Sequence, residues 1–307
     1  MKILVTGGAG FIGSNIVDAL ILKKHKVVII DDLSTGNLKN LNKKSKFYKF
    51  SVTNRKEINK TFKKEKFDIV IHHAAQLDVR KSVEDPLFDA DVNIKGSLNI
   101  LEACKNTKVK KIIFASSGGT MYGECPGKAP QETVPANPLS PYGVAKNSVE
   151  NYIKSYGSIY GLKYTVLRYA IVYGPRQDPN GEAGVVAIFI GKMLKNEKVL
   201  IFGNGKQMRD YVFVSDVVNA NLKALTKGDN EIFNIGTQTV FSVNQLAKEI
   251  ANITGYKLKP KYMAKRSGEL FKNFLNISKA KKILRWKPQV GIQSGLKQTV
   301  EYFVKNK

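Results

Sequence analysis

The chain is poor in several residue types, and each shortage removes a class of function. It carries 2 cysteines in 307 residues, Cys104 and Cys125. They match no metal-ligand spacing and cannot staple a domain of this size, so disulfide scaffolds and zinc modules are excluded and a reducing compartment fits. The 3 histidines, His25, His72 and His73, are too few and too poorly spaced for a metal centre, and no metal is expected. No apolar run approaches the roughly 18–20 residues of a membrane span, and the first residues read as a strand rather than a signal peptide. An unprocessed cytoplasmic protein without membrane contact is therefore expected. Acidic residues number 25 against 50 basic ones, giving a formal net charge of +25, yet only 7 of the cations are arginine. Lysine cannot supply the bidentate fork of a specific nucleic-acid reader. The lysines are scattered in short runs, such as Lys43-Lys44, Lys110-Lys111 and Lys281-Lys282, and read as a solvated surface with loose attraction to polyanions. No specific nucleic-acid partner is expected.

What is present points to a large packed core, because 43% of the residues are hydrophobic. Apolar runs at residues 2–6, 27–30, 46–50, 69–71 and 112–115 alternate with segments carrying apolar side chains at helical spacing, beginning with residues 11–23. Strands that are apolar on both sides and alternate with helices imply a parallel sheet covered on two faces. The expected fold is α/β, a Rossmann-like doubly wound sheet over residues 1–170. After Arg168 the rhythm loosens, with Gly174-Pro175, Pro179-Asn180-Gly181 and Gly203-Asn204-Gly205 marking loops. A smaller, mainly substrate-binding lobe is expected over residues 171–307, with room for the chain to cross back. Its helical patterns lie near 184–195, 215–226, 242–253 and 290–304, and its strands near 199–202 and 231–235.

The turn after the first strand reads Thr6-Gly7-Gly8-Ala9-Gly10-Phe11-Ile12-Gly13. Gly7 permits a tight turn, Gly10 lets the backbone approach a pyrophosphate at a helix N-terminus, and Gly13 lets that helix pack closely on the strand. Asp31 ends the second strand, where a carboxylate accepts hydrogen bonds from adenosine ribose hydroxyls. No arginine stands beside it to receive a 2′-phosphate, so the expected cofactor is NAD rather than NADP. Asp32 reads equally well as a turn residue.

The segment 138–146 opens a long helix and places Tyr142 and Lys146 four residues apart on one face. A free tyrosine is a poor base at neutral pH, whereas a nearby ammonium favours the phenolate, so Lys146 is expected to lower the Tyr142 pKa. The fifth strand ends in Ser116-Ser117-Gly118-Gly119-Thr120, which delivers hydroxyls to the sheet edge where open α/β folds bind ligands. Ser117 is the candidate to polarise a substrate oxygen, with Ser116 and Thr120 as rivals.

The glycine turn, Asp31, His73-Ala74-Ala75-Gln76, Asn93, Ser116-Ser117 and the Tyr142/Lys146 pair together resemble the extended short-chain dehydrogenase/reductase family over nearly the whole chain. Within it, residues 115–124, 176–184 and 205–211 are most similar to the prokaryotic UDP-glucose 4-epimerases. The resemblance implies bound NAD, a UDP-sugar substrate and a homodimer formed through the helices containing residues 87–104 and 142–160. It implies that Tyr142 takes the proton of the sugar 4-hydroxyl while C4 passes hydride to NAD. A 4-keto sugar then turns over in the site, and hydride returns to its other face. Ser117 steadies the proton, while Lys146 tunes the phenol and grips the nicotinamide ribose. Further cofactor contacts implied are Phe11, Ile12, Asp32, Ser51, Val52, Ala74, Ala75, Gln76 and Asn93, with His73 capping the nearby strand edge. On the substrate side, Arg209 and Arg266 meet the phosphates, Glu269 the uridine ribose, and Val185, opening the stretch 185–189, the uracil.

The sequence differs from one branch or another of this family at four places. Ile171 stands where the family has an asparagine that contacts the diphosphate. Ser51 replaces the acidic residue that meets the adenine amino group, while Val52 keeps the apolar neighbour. Ser117-Gly118-Gly119 lacks the Asp-Glu pair with which dehydratase relatives eliminate water. A gap-free reading from Arg266 puts Asn273 where some epimerases have a tyrosine that narrows the sugar pocket, which leaves room for an N-acetyl group. Alternatives are another nucleotide-sugar epimerase, dehydratase or reductase of this family, or a non-catalytic NAD- or polyanion-binding homologue. Ile171 favours the last of these, and the activated phenol opposes it.

Overall fold

The computed structural model describes residues 1–124, 127–179, 184–265 and 270–306. The first part runs β1 (Lys2–Thr6), α1 (Phe11–Leu22), β2 (Lys26–Asp31), β3 (Lys46–Lys49), α2 (Arg55–Glu65), β4 (Ile69–His72), α3 (Val79–Glu84), α4 (Pro86–Ala90), a π-helical turn (Asp91–Lys95), α5 (Gly96–Asn106), β5 (Lys111–Ser117), α6 (Gly118–Met121), α7 (Pro141–Tyr160) and β6 (Lys163–Tyr169). The second runs β7 (Ile171–Tyr173), α8 (Val185–Leu194), β8 (Leu200–Phe202), β9 (Met208–Arg209), β10 (Tyr211–Phe213), α9 (Val214–Ala224), β11 (Glu231–Ile235), β12 (Phe241–Ser242), α10 (Val243–Thr254), β13 (Lys261–Met263), β14 (Lys272–Asn273) and α11 (Ile292–Lys305).

Seven strands form one sheet in the order β11-β6-β5-β4-β1-β2-β3, and every pair in it is parallel. Successive side chains of a strand face opposite layers. Ile3 and Val5 of β1 accordingly join one apolar cluster with Ile16 and Leu20 of α1, while Leu4 joins another with Phe62 of α2 and Ile100 of α5. Strand β11 sits in the chain among elements of the smaller lobe, yet it pairs with β6 and completes the main sheet. Its neighbour α9 packs against α1. A third cluster, with Phe189 and Ile190 of α8, Leu246 and Ile250 of α10 and Leu296 of α11, is the core of the smaller lobe. Among the described residues no helix is long and apolar enough to cross a membrane.

Because all seven strands run the same way, their carboxyl ends share one edge. That edge carries Gly7 after β1, Asp31 at the end of β2, His73 after β4 and Ser117 at the end of β5. The smaller lobe meets the same edge through β14, where the Asn273 side-chain amide donates to the Gly119 carbonyl at 3.1 Å.

Candidate active site

The glycine turn is built as its spacing requires. Gly7 has φ +69° and donates its N–H to the Ile30 carbonyl at 2.9 Å. A Cβ on Gly13 would lie 2.1 Å from the Gly7 carbonyl oxygen, so α1 packs on the turn only with glycine there. Gly10 caps α1 without a side-chain hydrogen bond, and the first turn holds no acidic residue. The amides at this helix start thus offer an anion site that no side chain of the first turn neutralises. Phe11 packs toward the smaller lobe and Ile12 toward the sheet, which leaves their backbone to the turn. The buried Asp31 carboxylate accepts the Ala9 N–H at 2.9 Å and the Leu33 N–H at 2.8 Å, one on each oxygen. Each oxygen keeps a lone pair for a hydroxyl donor. Burial raises its pKa, and the two amides oppose that rise. These residues fit NAD. Asp32 is exposed and accepts the Ser34 N–H, a turn role. Ser51 accepts the Thr53 N–H and hydroxyl in its own turn, while Val52 is buried against Gly96.

Asn93 and Gln76 come together as a clasp. The Asn93 amide accepts the Gln76 N–H at 3.0 Å and donates to the Gln76 carbonyl at 2.9 Å, which fixes the segment Ala74-Ala75-Gln76 beside the turn. The His73 ring stacks on Tyr169 with its Nε2 3.0 Å from the phenol oxygen.

Helix α7 begins at Ser140, whose hydroxyl accepts the Gly143 N–H, with Pro141 in the first turn. Tyr142 lies in that turn, and one turn further on the buried Lys146 Nζ donates to the Ala115 carbonyl of β5 at 3.0 Å and lies 5.6 Å from the centre of the Tyr142 ring. The helix is thereby fastened to the strand that ends in Ser117. Ser116, the rival hydroxyl, is buried and donates to Glu150 at 2.6 Å, which takes it out of the site. Ser117 is only half-buried at the strand end.

On the substrate side Val185 opens α8, half-buried, near Ile171 of β7. The Ile171 side chain packs toward the smaller lobe's core, 3.8 Å from where a Cβ on Gly184 would stand. The Arg209 guanidinium donates to the carbonyls of Met208, Leu270 and Phe271. It therefore braces the chain next to residues 266–269. Arg266 and Glu269 lie outside the described residues.

Residues 3–236 match the NAD dependent epimerase/dehydratase family. A UDP-glucose 4-epimerase of Mycolicibacterium smegmatis is 41% identical over 99% of this chain and 98% of its own. The crystal structure of a UDP-glucose 4-epimerase with UDP-glucose from Thermotoga maritima covers 100% of this chain and 99% of its own at 52% identity and TM-score 0.98. That of a Thermus thermophilus UDP-glucose 4-epimerase complex with NAD covers 99% of both chains at 41% identity and TM-score 0.95. The chain belongs to the NAD dependent epimerase/dehydratase family.

For a member of this family the site's electrostatics differ from the sequence expectation in one respect. Burial pushes the Tyr142 phenol up, and the Asp89 carboxylate adds to the rise. Burial also lowers Lys146 to about 8, against the Asp89 and Glu150 charges that favour its ammonium. Desolvation thus decides the direction of the phenol's shift, opposite to the one the helical spacing suggests. Sequence reasoning also missed the residues that frame the site. The buried Asp89 accepts both the Gln76 and Asn93 side-chain amides, and the Ser82 hydroxyl accepts the Tyr142 N–H. The Thr6 hydroxyl oxygen accepts the His73 and Ala74 N–H groups, so its own proton goes to His72 Nδ1 at 2.6 Å. His72 Nε2 then donates to Ser97, and Ser97 to the Asn93 carbonyl. Burial holds His72 near pKa 3, which keeps it neutral. The sole sequence signal for this relay was a histidine pair ending an apolar strand.

Proposed function

We propose that this chain interconverts UDP-hexoses at C4, UDP-glucose and UDP-galactose first among them, with NAD held by the Gly7–Gly13 turn and Asp31. The observation that carries the reading is the Tyr142/Lys146 pair fastened by Lys146 to the strand ending in Ser117, on the edge that carries a dinucleotide turn. That strand end has glycines where elimination of water would need an acid and a base, so epimerisation is favoured over dehydration. When bound, NAD supplies a two-electron acceptor that takes hydride from the sugar and gives it back, so no net oxidation occurs. The Tyr142 oxygen takes the 4-hydroxyl proton and returns it, and the Ser117 hydroxyl bonds the same sugar oxygen. The Lys146 ammonium binds ribose hydroxyls and supplies positive charge beside the phenol. A ring that must turn over cannot be gripped tightly, so binding energy comes from the nucleotide. Arg209 and Arg266 serve the diphosphate, Glu269 the uridine ribose and Val185 the uracil. Asn273, tied to the Gly119 carbonyl, borders the sugar and leaves N-acetylated sugars as further substrates. The enzyme works in the cytoplasm as a homodimer.

Incubating the purified protein with UDP-galactose and measuring UDP-glucose tests the reading. Interconversion is expected, with Tyr142→Phe slower by about 10²- to 10⁴-fold. Absence of interconversion, or a fully active Tyr142→Phe, would overturn it.

A further inference from the structure

Beneath the catalytic edge, a row of polar side chains crosses three strands of an otherwise apolar sheet. Ser116 of β5 is in register with Arg168 of β6, and Arg168 with Asn234 of β11, so the three side chains share one face. Glu150, fully buried, comes down onto that row from α7, one turn beyond Lys146. Its carboxylate accepts the Ser116 hydroxyl at 2.6 Å, Arg168 Nε at 2.9 Å and Arg168 Nη2 at 2.6 Å. Arg168 Nη1 donates to the Tyr122 hydroxyl at 2.7 Å, and that hydroxyl donates to Asn234 Oδ1 at 2.8 Å. The Asn234 amide in turn donates to the Pro130 and Asn276 carbonyls, three residues past Asn273.

The network does more than satisfy its own members. Helix α7 is pinned to β5 at consecutive turns, by Lys146 on the Ala115 carbonyl and by Glu150 on Ser116. These two pins flank the Ala115–Ser116 peptide bond, immediately before Ser117, and both come from the helix that carries Tyr142. We infer that Glu150 and Arg168 are positioning residues that hold the Ser117 strand end, the Tyr142/Lys146 helix and the Asn273 segment in one fixed arrangement. This rests on the epimerase reading above. A buried carboxylate paired with a guanidinium fork suits the task, because two parallel hydrogen bonds fix an angle as well as a distance.

Lys146 reports on the pair. It faces Tyr142 and Glu150 on its own helix, Asp89 from α4, and the neutral His72 and His73 at the end of β4. Removing the Glu150 charge takes away an anion that favours its ammonium, so the alkaline limb of the pH–rate profile moves to lower pH.

The test compares NAD-loaded wild type, Ser116→Ala, Glu150→Gln and Arg168→Met on UDP-galactose, with thermal unfolding to confirm folding. Ser116→Ala, the mildest change, is expected to lower kcat roughly tenfold with KM within about twofold, because a small misplacement costs turnover rather than binding. Glu150→Gln is expected to move the alkaline limb down by roughly 0.5 to 1 pH unit, and Arg168→Met to lower kcat at least as much as Ser116→Ala does. Wild-type kcat in folded Ser116→Ala or Arg168→Met, or an alkaline limb that stays in place in Glu150→Gln, would overturn the positioning role while leaving the epimerase reading intact. An inactive wild type would overturn both.

Discussion

Lys146 carries two duties with opposing electrostatic demands. It must stay charged to bind a ribose and support a phenol, yet it is buried beside Phe114 with its Nζ on a backbone carbonyl. Burial brings its pKa down to about 8 in the ligand-free chain. The protonated form is therefore complete below that pH and is lost above it. If the ammonium is the binding form, NAD affinity is flat below about pH 8 and falls about tenfold per unit above it, and Lys146→Met removes the break. Calorimetric titration of NAD from pH 6.5 to 9.5 checks this, and a flat wild-type profile contradicts it. At this scale the sequence was most legible where chemistry is local. The Tyr142/Lys146 pair depends only on helical spacing, and Asp31 only on ending a strand after a glycine turn. Asp89, Ser82 and Glu150 were not legible, because their roles depend on partners from other elements. The Tyr142 pKa was misjudged for a related reason, since spacing reveals a neighbouring lysine but neither the burial nor the Asp89 carboxylate that raises the phenol's pKa.

The elements came through clearly wherever an apolar period was long. Six of the seven strands of the main sheet, all but β6, and helices α1, α7, α8, α9, α10 and α11 lie within a residue or two of the segments read from the sequence. What escaped was shorter or non-local. Strands β7, β9, β10, β12, β13 and β14 have only two or three residues each, too few for a period. The apolar run of β11 says that it is buried but not in which sheet. Glycine spacing, by contrast, separates two kinds of effect within one turn. Gly13→Ala puts a methyl 2.1 Å from a backbone oxygen, whereas at Gly10 the nearest atom is 3.3 Å away. Gly13→Ala is expected to destabilise the fold by about 3 kcal/mol or more through backbone overlap. Gly10→Ala is expected to melt within a few degrees of wild type and yet bind NAD at least tenfold more weakly, as the proposed close approach of a pyrophosphate to the backbone at this helix start requires. Thermal unfolding and NAD titration of both variants check the pair of outcomes, and equal stability of the two contradicts the packing role of Gly13.

For the whole molecule, the charge of +25 says less about function than its size suggests. Most lysines lie at the surface, while three of the arginines have defined partners within the chain: Arg168 on Glu150, Arg176 on Asp18 and Arg209 on backbone carbonyls. The exposed apolar residues are more telling. Val144, Tyr152 and Ile159 recur along one stripe of α7, and Leu87 on adjoining α4 is 82% exposed. A second copy of the chain covers such a stripe in the proposed homodimer. Light scattering is expected to give twice the 34.1 kDa chain mass, and Leu87→Glu with Ile159→Glu to give the single mass. A monomeric wild type contradicts the dimer without touching the chemistry. The central claim is that the sugar C4 hydrogen leaves and returns within one closed site that Tyr142 serves as base. Its most direct test is UDP-galactose labelled with deuterium at C4, followed to UDP-glucose by mass spectrometry in ordinary water. Retention of the label in the product is the predicted result, and its replacement by solvent hydrogen would contradict the account.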